Sequence, residues 1–197
     1  MNKKMKIKED LNFELLDEIA SRWSGRAFAA KKLEKDTILQ VLEAARWAPS
    51  SYNEQPWAFI VGLKGSKNFE LILESLSSGN SSWAKNAGAL ILTLSITELE
   101  RNGKFNKFAQ YDLGQSVAFL SLEAERLGLN VHQMGGFDVD KVGESFKIKS
   151  PYQVMSVLAI GFRGDPEILD EALKQKELSQ QRRKRLEKKV FFEEFNQ

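Results

Sequence analysis

The residues best suited to chemistry fall in four short segments, and none carries a conventional acid–base pair. Ser21-Arg22-Trp23-Ser24-Gly25-Arg26 sets two arginines around a serine and a glycine. Guanidinium groups donate paired hydrogen bonds to phosphate oxygens, and glycine lets a backbone come close, so this segment suits an anion. It also suits a solvated turn between helices. Pro49-Ser50-Ser51-Tyr52-Asn53-Glu54-Gln55-Pro56-Trp57 offers hydroxyls and amides. Such donors and acceptors can read the edge of a heterocycle, or form an ordinary polar loop. His132-Gln133-Met134-Gly135-Gly136-Phe137-Asp138 places a glycine pair between a strand and a helix. Bare N–H groups and a helix start favour negative charge there, although a tight turn explains the pattern equally well. His132, the only histidine, reads as a hydrogen-bonded structural residue rather than a general acid. The fourth segment, Arg182-Arg183-Lys184-Arg185 with Lys188 and Lys189, is basic without interleaved aromatics. It reads as a solvated helix face, and no nucleic-acid partner is expected.

Composition removes most competing chemistry. The chain of 197 residues has no cysteine, which excludes a disulfide scaffold, a thiolate metal site and a cysteine nucleophile. One histidine argues against multi-histidine metal sites and serine–histidine triads. There is no G-x-G-x-x-G after the first strand, no P-loop, no G-x-S-x-G and no H-E-x-x-H. The balance of 29 basic and 27 acidic residues, net +2, does not announce a polyanionic partner. The longest apolar stretch, Ala87 to Ile96, is about half the ~20 residues a membrane helix needs. The opening MNKKMKIKED has no apolar stretch behind its charges, so no membrane association and a cytoplasmic location are expected.

The elements that must position these segments follow from periodicity. Leu11 to Ala20 has helical spacing, with a small-polar break at Ser21 to Gly25. Asp36 is expected to N-cap a helix with Ile38, Leu39, Val41, Leu42 and Ala45 on its apolar side, ended by Pro49. Trp57 to Leu63, Ala87 to Thr97 and Val154 to Phe162 read as buried strands, and Leu129 to His132 as a short one. Lys67 to Leu76, Lys107 to Leu127 and Asp138 to Phe146 read as helices, and the segment from Pro166 onward as charged helix. Val190, Phe191, Phe192 and Phe195 sit on a tail with few neighbours to cover them. Helices mixed with non-adjacent strands argue for one α+β domain over residues 1–197.

The order of the segments is more specific than any one of them. An Arg22-x-Ser24-x-Arg26 start, a helix closing in Ala48-Pro49-Ser50-Ser51-Tyr52-Asn53-Glu54-Gln55-Pro56-Trp57, a Gly135-Gly136-Phe137 after a strand, and a C-terminal arginine before an apolar tail occur in sequence. With Tyr111-Asp112-Leu113-Gly114-Gln115 and Gly128-Leu129, this resembles the nitroreductase family of FMN-dependent oxidoreductases from about Ser21 to Phe192. The resemblance implies an α+β fold with a central, mostly antiparallel sheet flanked by helices. It implies a homodimer in which a C-terminal extension, from about residue 180, packs on the other subunit. The cofactor would be FMN, with NADH or NADPH as co-substrate in a ping-pong reduction of nitroaromatics, quinones or similar small acceptors.

The implied site residues are Arg22, Trp23, Ser24, Arg26, Pro49, Ser50, Ser51, Asn53, Gln133, Met134, Gly135, Gly136 and Arg183. Arg22, Ser24 and Arg183 would hold the phosphate and ribityl chain, and Arg26 would stabilise negative charge on the reduced ring. Ser50, Ser51 and Asn53 would reach it from the partner subunit. The amides of Gly135 and Gly136 would point at the ring atom that accepts hydride. No catalytic side chain and no metal is expected. Only residues 96–107 separate the second strand from the central helix, so a long helical insertion that roofs the pocket in some relatives is missing and a more open site is expected. Two alternatives stay open: a flavin enzyme of the same fold that needs no nicotinamide (dehydrogenase, dehalogenase or flavin-degrading), and a non-catalytic FMN-binding protein.

Overall fold

Four strands run β1 (Trp57–Leu63), β2 (Ala89–Ile96), β3 (Leu129–Met134) and β4 (Tyr152–Phe162), in the sheet order β1-β2-β4-β3. Every neighbouring pair is antiparallel. The computed structural model describes residues 13–195. Among the described residues seven α-helices flank the sheet: α1 (Asp17–Ser21), α2 (Lys35–Arg46), α3 (Lys67–Ser75), α4 (Ser78–Ala84), α5 (Ala109–Arg126), α6 (Val139–Phe146) and α7 (Glu171–Leu178).

β2 explains the three layers. Side chains alternate across a strand, so a run that is apolar at successive positions demands cover on both faces. Leu90, Leu92 and Leu94 join a core with Phe69, Ile72, Trp83 and Val142 from α3, α4 and α6. Ala89 and Ile91 join the opposite core with Val41, Leu113, Val117 and Leu120 from α2 and α5. A leucine as fully buried as Leu120 contributes about 1.5–3 kcal/mol by removal from water. The helix carrying it stops at Gly128, whose φ of +74° suits the left-handed turn that ends a helix.

Trp57 faces Ser95, Ser95 faces Gln153, and Met134 faces Val157. The segment before β1 and the glycine pair after β3 therefore leave the same end of the sheet. They leave it at opposite edges, because β2 and β4 lie between.

Several expectations need correction. Only Asp17–Ser21 of the amino-terminal helical pattern is helix, with Ser21 as its last residue, while Leu11 and Asn12 lie outside the described residues. Asp36 is not the cap of α2. Glu34 occupies that position and Asp36 sits in the first turn, where its charge suits the helix dipole. β3 continues through Gln133 and Met134, so both belong to the ladder and not to the turn. The segment after Pro166 is helical only at Glu171–Leu178 apart from single 3-10 turns, and the basic run Arg182–Arg185 is irregular backbone, not a helix face. The α4 helix was not expected, because Ser78-Gly79-Asn80-Ser81-Ser82 has no apolar stripe; only Trp83 and Ala84 are buried.

Candidate active site

The Arg22–Arg26 loop is wired to the core from several directions. After α1 the chain passes beside β3, where His132 Nδ1 lies 3.0 Å from the carbonyl oxygen of Ser24. Asn130 Nδ2 donates to the carbonyl of Ala27 at 3.4 Å, and Glu177 of α7 accepts from the Arg26 amide at 2.9 Å. Gly25 is needed for this internal packing, not for ligand approach: a Cβ there would stand 2.4 Å from Asn130 Nδ2. Trp23 lies under the guanidinium of Arg163, 4.3 Å from the ring centre. Arg163 in turn bonds Asn130 Oδ1 and forms a buried ion pair with Glu125, whose other oxygen is 2.6 Å from Ser21 Oγ.

The guanidinium of Arg26 stands 5.9 Å from the Trp83 ring, and Trp83 stands 4.6 Å from His132. Burial, then the charge of Arg26, push the His132 pKa down to about 4. The imidazole is neutral near pH 7, and its Nδ1–H donates to Ser24. His132 is thus a structural hydrogen-bonding residue. Arg22 is held below its ordinary value by burial and then by the neighbouring charge of Arg183, with Glu125 opposing. Two guanidinium groups more than a hundred residues apart in sequence thus feel each other's charge, and neither forms a salt bridge among the described residues.

The glycine turn is held by its carbonyls. Gly135 O accepts from Phe137 N at 3.2 Å, and Gly136 O accepts from Ser77 N and Asn80 Nδ2, each at 3.0 Å. The amides of Gly135 and Gly136 bond to nothing among the described residues, and both residues are exposed. They form a donor pair available to a ligand. A Cβ on Gly136 would stand 2.9 Å from Asn80 Nδ2, so a larger residue would disturb that bond. Gln133 is exposed, whereas Met134 is 3% exposed and belongs to the core; its side chain is not available to a cofactor.

The Pro49–Gln55 segment is built differently. Tyr52, Asn53 and Gln55 have φ of 55°, 57° and 48°, a left-handed conformation that side chains with a Cβ resist. Asp112, 2% exposed on α5, accepts from Ser51 N at 3.0 Å and Gln115 Nε2 at 3.3 Å. Gln115 also donates to Pro49 O at 3.4 Å, and Ser50 Oγ accepts from Gln55 N at 3.0 Å. Arg101, from the chain joining β2 to α5, lies 4.2 Å from the Tyr52 ring centre and pairs with Glu54 at 3.4 Å. Tyr52 and Asn53 remain exposed.

The structure thus gathers Arg22, Ser24, Arg26, His132, the glycine pair and Arg183 around one region beside β3. Ser50, Ser51 and Asn53 precede β1 at the other sheet edge, three strand spacings away, about 14 Å. Positioning residues that sequence reading missed are Asn80, Trp83, Asp112 and Glu177. Asp112 had a signal: it lies on the same i, i+4, i+8 line as buried Ser116 and Leu120. The others had none.

Chemically, the arrangement offers cationic groups for an anion and two amide donors for a polarised atom. Its histidine, His132, is neutral near pH 7 with its Nδ1–H held by the Ser24 carbonyl. Among the described residues no group of three His, Cys, Asp or Glu could hold a metal, and no helix is long and apolar enough to cross a membrane.

A model of the nitroreductase family matches residues 19–82 and 63–162. An uncharacterized 15.4 kDa protein of Mycolicibacterium smegmatis is 33% identical over 142 residues, 68% of this chain and 93% of that one. An oxygen-insensitive NADPH nitroreductase of Helicobacter acinonychis is 29% identical over 172 residues, 69% of this chain and 78% of that one. Among solved structures, one described as an oxidoreductase containing FMN superposes with a TM-score of 0.91 at 31% identity, covering 100% of this chain and 99% of that one.

Proposed function

The chain belongs to the nitroreductase family, and from that premise we propose that it is an FMN-dependent oxidoreductase using NADH or NADPH to reduce small acceptors. The observation that carries this reading is the whole-chain likeness to an oxidoreductase containing FMN. The residues present fit such a cofactor at two points. Arg22 and Arg183 feel each other's charge and form no salt bridge among the described residues, a suitable counter-charge for a phosphate. The free amides of Gly135 and Gly136 suit a ring nitrogen or carbonyl.

FMN, when bound, supplies the two-electron chemistry that accepts hydride from a nicotinamide and delivers it to an acceptor, in ping-pong order. The chain supplies position and field. Arg22, Ser24 and Arg183 would bind the phosphate and ribityl end, with Trp23 keeping the loop in place against Arg163. Arg26 would place positive charge by the ring. Gln133, the Met134 backbone and the Gly135–Gly136 amides would line the edge that accepts hydride. Pro49, Ser50, Ser51 and Asn53 would complete the site of a second copy of the chain, which accounts for their standing about 14 Å from the rest within one chain. Nitroaromatics and quinones are the proposed acceptors.

The apolar tail supports a homodimer. Phe192 is 96% exposed and Phe195 67% exposed, with Phe191 touching only the edge of Phe195 among aromatic rings. Deleting the residues after Lys189 is expected to weaken dimerisation in light scattering, and a truncated chain that stays fully dimeric would refute the tail's part.

The decisive experiment is the absorption spectrum after incubation with FMN and desalting, followed by anaerobic NADPH or NADH. Retained flavin bands that bleach are expected. Retained bands that do not bleach would remove the nicotinamide half-reaction, and loss of flavin on desalting would remove the cofactor assignment.

A further inference from the structure

Helix α7 is polar, and its buried residue is the wrong kind. Glu177 is 5% exposed while its neighbour Leu178 is 57% exposed. A carboxylate taken out of water must be compensated by hydrogen bonds, or it is costly. Here successive amides compensate it: Arg26 N donates to Oε2 at 2.9 Å and Ala27 N reaches Oε1 at 3.5 Å. Two consecutive backbone N–H groups form a small concavity that favours an anion. Gly25 permits the approach, since a Cβ there would stand 3.0 Å from Glu177 Oε1.

Beyond α7 the chain has no helix until Leu186. The place where α7 is docked therefore limits where Arg183, six residues past Glu177, can reach, to within roughly 20 Å of it. Its charge is felt by Arg22, on the loop whose far end Glu177 grips. Arg183 itself donates only to the Arg182 carbonyl, at 3.0 Å, and nothing acidic among the described residues pairs with it. Two cations whose fields meet, only one of them with a carboxylate near it, suit an anion between them.

We infer that Glu177 is a positioning residue: its carboxylate docks the C-terminal segment on the Arg26–Ala27 amides and so assembles Arg22 and Arg183 into a two-arginine clamp for a phosphate. The inference rests on the FMN reading and adds to it the residue that makes the phosphate site one unit. A merely structural Glu177 would affect all flavins alike, whereas a positioning role affects only the flavin that carries a phosphate.

The test is titration of the full chain with FMN and with riboflavin. Glu177→Gln keeps the size of the side chain and loses its charge. FMN affinity is expected to fall roughly 10-fold or more, the effect of one or two lost charged hydrogen bonds, with riboflavin affinity changing less than about 3-fold. In an Arg183→Ala background the same substitution is expected to cost little further FMN affinity, because coupled residues are not additive. Equal losses for both flavins, or full additivity with Arg183→Ala, would overturn the inference and leave the FMN reading standing. Wild-type protein that binds neither flavin would overturn both. If Glu177→Gln does not fold, two glycines inserted after Leu178 loosen the tether with Glu177 intact. A loss selective for FMN is then expected, and unchanged FMN affinity would overturn the inference.

Discussion

The loops Arg22–Arg26 and Ser50–Gln55 lie at opposite edges of one sheet, and each has a buried carboxylate on its amides, yet they differ in backbone and exposure. The first is fixed by buried polar and charged groups: Glu177 on its amides, His132 on its carbonyl, and the Glu125–Arg163 pair behind Trp23. The second has an unfavourable backbone, with three residues at positive φ, and is held by hydrogen bonds to buried Asp112, to Gln115 and to Ser50 and by the Glu54–Arg101 pair. Its Tyr52, Asn53 and Gln55 stay exposed, while Glu54 turns in to pair with Arg101. A loop finished within its own chain can bury its charges. A loop that leaves most of its side chains exposed has few packing contacts to set its shape, so hydrogen bonds to its backbone take that part.

If that contrast is right, removing charge should hurt the first loop most. Glu125→Ala leaves the part-buried Arg163 without its carboxylate and is expected to cost about 2–3 kcal/mol in denaturant unfolding. A cost below about 1 kcal/mol would mean the pair is screened and the first loop is not charge-locked.

His132 gives a pH signature to the same loop. Its native pKa is near 4 and its ordinary value near 6.5, so the unfolded chain binds the proton more readily. The contribution is complete above pH 6.5 and is lost as pH falls toward 4, with a slope of about 1.4 kcal/mol per unit at most. Stability curves of the wild type and His132→Gln are expected to diverge in that window and run parallel above it. Parallel curves throughout would show that His132 titrates normally.

On the second loop, Asp112→Ala strands the Ser51 amide and is expected to cost about 1–3 kcal/mol, with faster proteolytic cutting between residues 49 and 56. Unchanged proteolysis would mean that the backbone holds its shape without Asp112. The smallest effect has the opposite sign. Gln55→Gly relieves a φ of 48° and is expected to raise stability by about 1 kcal/mol. A destabilised variant would show that the strain is not stored there.

Much of the fold was legible along the chain because local patterns carry it. β1 ran as its apolar and β-branched residues indicated, and α5 followed its i, i+4 stripe within two residues at each end. Periodicity failed where an element buries too few residues to show a stripe, as in α4 with Trp83 and Ala84, or where burial is polar, as at Glu177. The motif clusters were visible for the opposite reason: arginine, glycine and serine in that order do not arise from packing needs.

What the sequence determined by itself is the set of elements, the two-sided burial of β2 and the list of groups able to meet an anion or a polar ring. Those depend on residue types and on spacing within a single turn or strand. Only the tertiary structure decided which groups share a place. Strand order put the Ser50–Gln55 loop three strands from the glycine pair, and the docking of α7 brought Arg183 to Arg22. Contacts such as Asn80 with Gly136 or Glu177 with Arg26 span 56 and 151 positions. Nothing local encodes them, because they form only when packing of the two cores fixes the distance between segments.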